Sequence, residues 1–163
     1  MAGSDPFDVA GVQWRPVSPK LATVRRIVLA VWCLVAALPP LVVGVWLGRW
    51  WVGALAALPL AGLAWGSWLI GRQVSAWAYA ERDEDLLVRA GRIWRRMVVV
   101  PYGRLQYVDV DEGPIARMFG LASVQLHTAS AGTDSQIPGL EAAEAARLRD
   151  RLTERGQAQL AGL

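Results

Sequence analysis

Residues 27–71 consist of two apolar stretches on either side of one charged residue, Arg49: IVLAVWCLVAALPPLVVGVWLG (Ile27–Gly48) and WWVGALAALPLAGLAWGSWLIG (Trp50–Gly71). At about 1.5 Å per residue, each stretch forms a helix roughly 33 Å long, enough to cross a hydrocarbon core of about 30 Å. Because almost no chain is left for a loop, the two stretches are predicted to form a transmembrane helical hairpin. The first stretch is longer, and begins later, than the apolar segment of a signal peptide, so we expect it to be retained.

Small residues indicate how the two helices meet. In an antiparallel hairpin, Gly44 is predicted to face Ala54, where the absence of large side chains permits a close backbone approach. Pro39, Pro40 and Pro59 remove backbone donors inside the stretches and are expected to kink them.

The net charge of +3 is concentrated beside the apolar stretches. Cations precede the first stretch at Arg15, Lys20, Arg25 and Arg26, whereas from Arg72 onwards twelve arginines are matched by twelve acidic residues. Because positive charge accumulates on the cytoplasmic side, both termini are predicted to be cytoplasmic and the turn at Arg49 external. A neutral C-terminal half also lacks the basic face of a nucleic-acid interface, so no nucleic-acid partner is expected.

Tryptophan and arginine side chains near the ends of the apolar stretches are predicted to lie at the membrane–water interface. Both side chains combine an apolar body with a polar tip, which suits that boundary. The predicted interface anchors are Trp14, Arg25, Arg26, Trp46, Trp50, Trp51, Trp68, Arg72 and Trp77.

The spacing of apolar residues changes at Leu86 from helical to strand-like. Short runs rich in β-forming residues, separated by glycine and proline, predict a small antiparallel β unit. The runs are Leu86–Ala90, Ile93–Val100, Leu105–Val110 and Leu121–Thr128. A hairpin turn at Ala131–Gly132–Thr133 and a short strand ending near Ile137 are expected next. A last helix is predicted over Leu140–Arg155, with Gly156 as its stop.

The acidic run Glu81–Asp85 predicts a turn or a solvated face, because consecutive carboxylates do not have the spacing of a calcium loop. Catalytic residue types are scarce. Cys33 lies in the first apolar stretch and His127 falls on the polar side of its strand, so neither a Cys–His pair nor a metal cluster is expected. The only lysine, Lys20, is not part of a phosphate-binding loop. The sequence therefore predicts no catalytic residue, no cofactor, no metal and no enzymatic activity.

Several separate pieces of the C-terminal half occur in an order that resembles a known bacterial family. They are Val100–Pro101–Tyr102 with Arg104, Leu105 and Gln106, Gly113–Pro114 with Arg117 and Phe119–Gly120–Leu121, Thr128–Ala129, and Ile137 to Leu140. Together with the lead-in from Trp14 to Pro19 and the two apolar stretches, these pieces make the chain similar to the bacterial PH-like (bPH2) domain of membrane-flanked proteins, the YdbS/YdbT type.

The resemblance implies an α+β PH-like domain in which a C-terminal helix caps two roughly orthogonal antiparallel sheets. It also implies a multi-pass protein of the bacterial inner membrane, and it brings no catalytic residues to transfer. The expected organisation is a cytoplasmic lead-in (1–26), a transmembrane hairpin (27–71, helices 27–48 and 50–71), a cytoplasmic PH-like domain (72–156) and a tail (157–163).

Two non-catalytic functions fit this organisation. The first is an adaptor or scaffold that is anchored in the lipid bilayer and binds a protein partner or associates with itself. The second is recognition of lipid headgroups, in which Arg89, Arg92, Arg95 and Arg96 contact phosphates. The alternative for these arginines is that they pair with the acidic run or are simply solvated.

Overall fold

The computed structural model describes residues 11–92, 94–129 and 134–161. They belong to two compact units, Ala22–Arg72, here called the helical unit, and the described residues of Met1–Leu21 and Gln73–Leu163, here called the β unit. Two apolar helices followed by two antiparallel sheets and a C-terminal helix confirm the predicted fold class.

The apolar stretches form helices α1 (Lys20–Trp46), α2 (Trp50–Ala54) and α3 (Ala57–Val74). Lys20–Trp46 and Trp50–Val74 are each long and apolar enough to cross a membrane. Most of their apolar side chains are exposed, as at Trp46 and Trp50, unlike those of a helix in a soluble core. Such a surface is suited to contact with the hydrocarbon of a membrane.

Small residues bring α1 and α2 together, as predicted. A Cβ atom added at Gly44 would lie 2.6 Å from the backbone nitrogen of Gly53, so the partner of Gly44 is one residue away from the predicted Ala54. Helix α1 continues through Pro39 and Pro40. The second helix is interrupted between Ala54 and Ala57, ahead of Pro59, which occupies the first turn of α3 where a missing N–H is tolerated.

Seven strands build the β unit. Sheet A has the order β1-β2-β3-β4, from β1 (Arg15–Pro16), β2 (Ala78–Glu81), β3 (Asp85–Ala90) and β4 (Arg96–Pro101). Sheet B has the order β5-β6-β7, from β5 (Leu105–Asp111), β6 (Leu121–Thr128) and β7 (Ser135–Glu141). A 3-10 turn (Tyr102–Arg104) precedes β5, α4 (Pro114–Met118) follows it, and α5 (Ala142–Ala161) ends the unit.

Strand β6 confirms the predicted bounds and alternation: Val124 and Leu126 are buried, while Gln125 and His127 are half-buried. Strands β1 and β2 were not predicted, because they have only two and four residues. The predicted strand Ile93–Val100 is wrong at Trp94 and Arg95, which are not in a strand. Residue 93 lies outside the described residues, and the strand begins at Arg96. The hairpin turn predicted at 131–133 also lies outside them.

The predicted helix Leu140–Arg155 is wrong at both ends. Leu140 belongs to β7 and pairs with Ala122 of β6, and α5 runs from Ala142 to Ala161. Pro138 lies inside β7 because this is an edge strand, where a missing donor costs no ladder bond. Gly156 does not stop the helix. Gly156 is buried against the 3-10 turn, and a Cβ there would meet the carbonyl oxygen of Tyr102 at an ordinary van der Waals distance of 3.5 Å.

Helix α5 packs through the predicted apolar stripe, since Ala145, Leu148 and Leu152 are buried. Beside the stripe, three arginines form ion pairs with two carboxylates. Arg147 lies 2.6 Å from Glu81 and 2.7 Å from Glu144, Arg151 lies 3.0 Å from Glu81, and Arg15 lies 3.2 Å from Glu144. The Glu81 side chain is only 8% exposed. The predicted solvation of the acidic run is therefore wrong at its first residue, which attaches sheet A to α5.

This network shifts the pKa of three of its members. Hydrogen bonds to Glu144 and then Glu81 raise the pKa of the Arg147 guanidinium. Hydrogen bonds from Arg147 and then Tyr79 lower the pKa of the Glu144 carboxyl to about 2 from its ordinary 4.5. Burial, and then the same hydrogen bond to Glu144, raises the pKa of the Tyr79 phenol to about 12.

Acid is expected to destabilise the β unit through Glu144. Because the folded pKa lies below the unfolded one, the stabilisation is complete above about pH 4.5 and is lost as the pH falls towards about 2. This pKa shift contributes about 2 kcal/mol to the free energy of unfolding, after a reduction for solvent screening at a partly exposed carboxyl. We expect Glu144→Gln to remove that part of the pH dependence, measured by thermal unfolding of the full chain in nanodiscs between pH 7 and 3. Glu154→Gln, at an exposed position of α5, is the control, and equal acid sensitivity of Glu144→Gln and wild type would contradict the assignment.

Candidate functional site

A cleft of about 360 Å³ lies among the ends of β3 and β4 in sheet A and of β6 and β7 in sheet B. Val88, Val98 and Leu126 are among its apolar lining residues, and Arg96 and His127 are among its polar ones. The cleft therefore combines apolar surface with side chains that donate hydrogen bonds, as binding sites generally do.

Strand register explains why Arg96 lines this cleft. Residues directly opposite each other in an antiparallel pair have side chains on the same face, and Val88 pairs with Val98 as Ala90 pairs with Arg96. Arg96 therefore shares a face with the apolar residues that line the cleft. Trp77, predicted as an interface anchor, is half-buried and lines the same cleft.

The four predicted contact arginines do not form one surface. Arg89 pairs with Met97, so its side chain lies on the opposite face of sheet A from that of Arg96. There the Arg89 guanidinium lies 4.7 Å from the ring centroid of Trp14, within the range of a cation–π interaction. Trp14, another predicted anchor, is half-buried, and its indole nitrogen has no hydrogen-bond partner among the described residues.

Arg92 and Arg95 lie in the turn between β3 and β4, with Trp94 between them, and all three are exposed. Trp94 is 87% exposed. We call Arg92, Trp94, Arg95 and Arg96 the hairpin tip. Sequence reasoning missed Trp94 because its run was assigned to a strand, where an aromatic side chain is ordinary. The available signal was an isolated tryptophan among arginines directly after Gly91.

His127 is held by neighbours that fix its ring. Its Nε2 lies 3.7 Å from Asp109, its Nδ1 lies 3.7 Å from Asp134, and its ring stacks on Tyr107 with centroids 4.3 Å apart. Asp134 also accepts a hydrogen bond of 2.9 Å from the backbone N–H of Thr128. These contacts are structural, since they orient the imidazole and close the end of β6. Among residues 11–92, 94–129 and 134–161, no group of three His, Cys, Asp or Glu side chains is arranged to hold a metal ion.

The rest of the acidic run is engaged elsewhere in the β unit. Arg82 lies 3.5 Å from Asp85, and Arg155 lies 3.8 Å from Asp83. The Tyr102 hydroxyl and the Arg155 guanidinium both donate to the carbonyl of Arg82. Neither Arg82 nor Arg155, the arginines of these ion pairs, is among the four predicted as contacts.

The remaining predicted anchors belong to the helical unit. The Arg72 guanidinium lies 4.6 Å from the ring centroid of Trp68, and that of Arg49 lies 5.9 Å from the ring centroid of Trp51. Arg26 donates to the carbonyl oxygen of Ser67 at 3.2 Å. Among the other anchors, Trp46 and Trp50 are exposed and Arg25 is half-buried. Their positions in a membrane stay a prediction.

Comparison with known proteins agrees with this architecture. A family model described as "Bacterial PH domain" matches residues 23–156. The chain is 29% identical over 144 residues to the UPF0699 transmembrane protein YdbS of Bacillus subtilis (strain 168), an alignment that covers 86% of this chain and 89% of that protein. No solved structure matches the chain. Similarity to a transmembrane protein, together with two exposed apolar helices, supports membrane localisation.

Proposed function

Since the chain belongs to the bacterial PH domain family, we propose that it is a non-catalytic adaptor of a bacterial inner membrane, whose β unit binds a protein partner or joins a membrane protein assembly. The cleft carries this proposal. It offers apolar surface beside hydrogen-bond donors, while its histidine is engaged by Asp109, Asp134 and Tyr107 rather than by a nucleophile. Such a site is suited to binding rather than to bond making.

A strand edge beside the cleft gives a partner a second point of attachment. β4 is the end strand of sheet A, and its Val99 is 46% exposed. Edge strands present unpaired N–H and C=O groups that an extended segment of another chain can pair with. We therefore place the partner along β4.

We further propose that both apolar helices cross the membrane, with the termini in the cytoplasm and the turn at Arg49 outside. The cations that precede α1 support this orientation. The predicted interface anchors that lie in the helical unit would then meet the headgroups.

Photo-crosslinking tests the adaptor function. A crosslinking amino acid is placed at Val99 of the full chain, in membranes that are then gently solubilised. Met118, which is 83% exposed on α4, is the control position. We expect one stoichiometric protein, or a second copy of this chain, to crosslink at 99 and not at 118. The absence of both would contradict the proposal.

A second candidate function is recognition of anionic lipid headgroups, and one observation favours it. Residues 86–108 contain five arginines and no acidic residue, and the hairpin tip carries three of the five. At about 1 kcal/mol for each cation near an anionic surface, three arginines are worth roughly 100-fold in affinity at low salt.

Lipid titration by native mass spectrometry of the full chain in detergent measures this contribution. We expect the triple variant Arg92→Ala, Arg95→Ala, Arg96→Ala to bind phosphatidylglycerol tens of times more weakly than wild type, with no change towards phosphatidylcholine. Arg149→Ala, which removes an exposed arginine from α5, is the control and should leave the affinity unchanged. Equal affinities of wild type and the triple variant for phosphatidylglycerol would exclude this function.

A further inference from the structure

We propose that the hairpin tip inserts the Trp94 side chain into the headgroup region of an anionic membrane surface, an inference that rests on the second candidate function. The starting observation is the exposure of this residue. Trp14 and Trp77, the other tryptophans of the β unit, are half-buried, whereas Trp94 is 87% exposed. A large apolar ring left in water has free energy to gain from any apolar surface that covers it.

The residues described on either side of the tip have a defined backbone. β3 and β4 are paired as far as Ala90 and Arg96, so the strands are in register up to the turn. Gly91 adopts a φ of +82°, which L residues other than glycine rarely adopt, and a Cβ at this position would collide with the carbonyl oxygen of Trp94. These constraints on Gly91 and on the strand ends lower the conformational entropy that those residues lose when the tip is bound.

The side chains beside Trp94 identify the surface that would cover it. Arg92, Arg95 and Arg96 lie within two residues of the indole and are exposed. The sequence contains no acidic residue between Leu86 and Val108. Arginine beside tryptophan matches the chemistry of an anionic membrane surface, where guanidinium groups meet phosphates and indoles settle at the boundary of headgroup and hydrocarbon.

The apolar helices strengthen a contact that is weak by itself. β2 begins at Ala78, only a few residues after α3 ends at Val74. A module tethered through so short a segment meets the surface that holds its anchor at an effective concentration of the order of millimolar. One indole and three arginines are then sufficient for binding.

Site-directed spin labelling tests the insertion in the full chain. Cys33 is replaced by alanine, and a nitroxide is attached through Trp94→Cys or, as the control, through Met118→Cys. Both positions are more than 80% exposed, so labelling should not disturb packing. Each protein is reconstituted in nanodiscs of phosphatidylcholine alone or with phosphatidylglycerol, and power saturation compares collisions with oxygen and with a nickel chelate.

We expect the label at 94, in anionic nanodiscs only, to lose most of its collisions with nickel and to gain collisions with oxygen. The label at 118 should stay open to nickel in both lipid mixtures. Adding Arg92→Ala and Arg95→Ala should return the label at 94 to water.

Two results would overturn the insertion. If the label at 94 is as open to nickel as the label at 118 in anionic nanodiscs, the indole does not enter the surface. If the triple arginine variant nevertheless binds phosphatidylglycerol more weakly than wild type, headgroup recognition remains supported although insertion does not. Dipolar broadening at 94 in detergent would instead show that a second copy of the chain covers the tip.

Discussion

Replacing Leu148 by alanine is expected to lower the free energy of unfolding of the β unit by about 3 kcal/mol. Leu148 is fully buried in the stripe that packs α5 onto the sheets. Truncating a buried leucine costs its transfer free energy plus the cost of the cavity left behind, about 2–5 kcal/mol. Stabilities of whole domains are only about 5–15 kcal/mol, so the change removes a large fraction of the total.

Hydrogen exchange of the full chain in nanodiscs measures this loss through the amides of β6. Met118→Ala, at an exposed position, is the matched control and should leave exchange unchanged. Amides of α1 beyond Ala22 should keep their protection, because they belong to the helical unit, which is compact by itself. Faster exchange in both units after the Leu148 change would contradict their independence.

Replacing Gly139 by alanine is expected to lower the free energy of unfolding by about 3 kcal/mol, for two reasons. The φ of Gly139 is +69°, which costs an L residue about 1–2 kcal/mol. An added Cβ would also lie 2.7 Å from the Cβ of Leu21, an atom close to the backbone that cannot swing away. Overpacking of this kind costs a further 1–3 kcal/mol or so.

Gly120 distinguishes the two effects. Its φ is +66°, but no atom lies within 4 Å of a Cβ added there, so Gly120→Ala should show the backbone cost alone, about 1 kcal/mol. Thermal unfolding of the full chain compares the two variants. Adding Leu21→Ala to Gly139→Ala should recover only the part of the loss that comes from contact with the Cγ and Cδ2 atoms of Leu21, because alanine keeps the Cβ. Equal destabilisation by the two glycine substitutions would show that contact with Leu21 is unimportant.

The elements that could be predicted from sequence are those whose signal is local. The apolar stretches are longer than any ordinary strand, and buried and half-buried side chains alternate along most of the eight residues of β6. Both elements can therefore be predicted from their own residues, without reference to the rest of the chain. β1 and β2 carry no comparable signal, because what defines them is their pairing partner. At β7, Pro138 and Gly139 have the composition of a turn, and only the edge position makes them a strand.

The candidate site was harder to predict because it depends on which face a side chain occupies. Arg89 and Arg96 are close in the sequence. Arg89 pairs with Met97, the residue next to Arg96 on β4, so the side chains of Arg89 and Arg96 lie on opposite faces of sheet A. The cleft is also lined by β6 and β7 of sheet B. No local sequence pattern predicts that the ends of these strands lie beside those of β3 and β4. The exposure of Trp94 could have been predicted if Gly91 had been interpreted as the start of a tight turn.

Strand β1 has a consequence for how the chain can be threaded through a bilayer. Arg15 and Pro16, which precede the apolar helices, pair with Tyr79 and Ala78, which follow them. Hydrogen-bonded neighbours must share one aqueous compartment, so the chain between them returns to the side from which it departed, and any passage across lipid comes in even numbers. Both helices must also leave the ribosome before β1 can pair with β2.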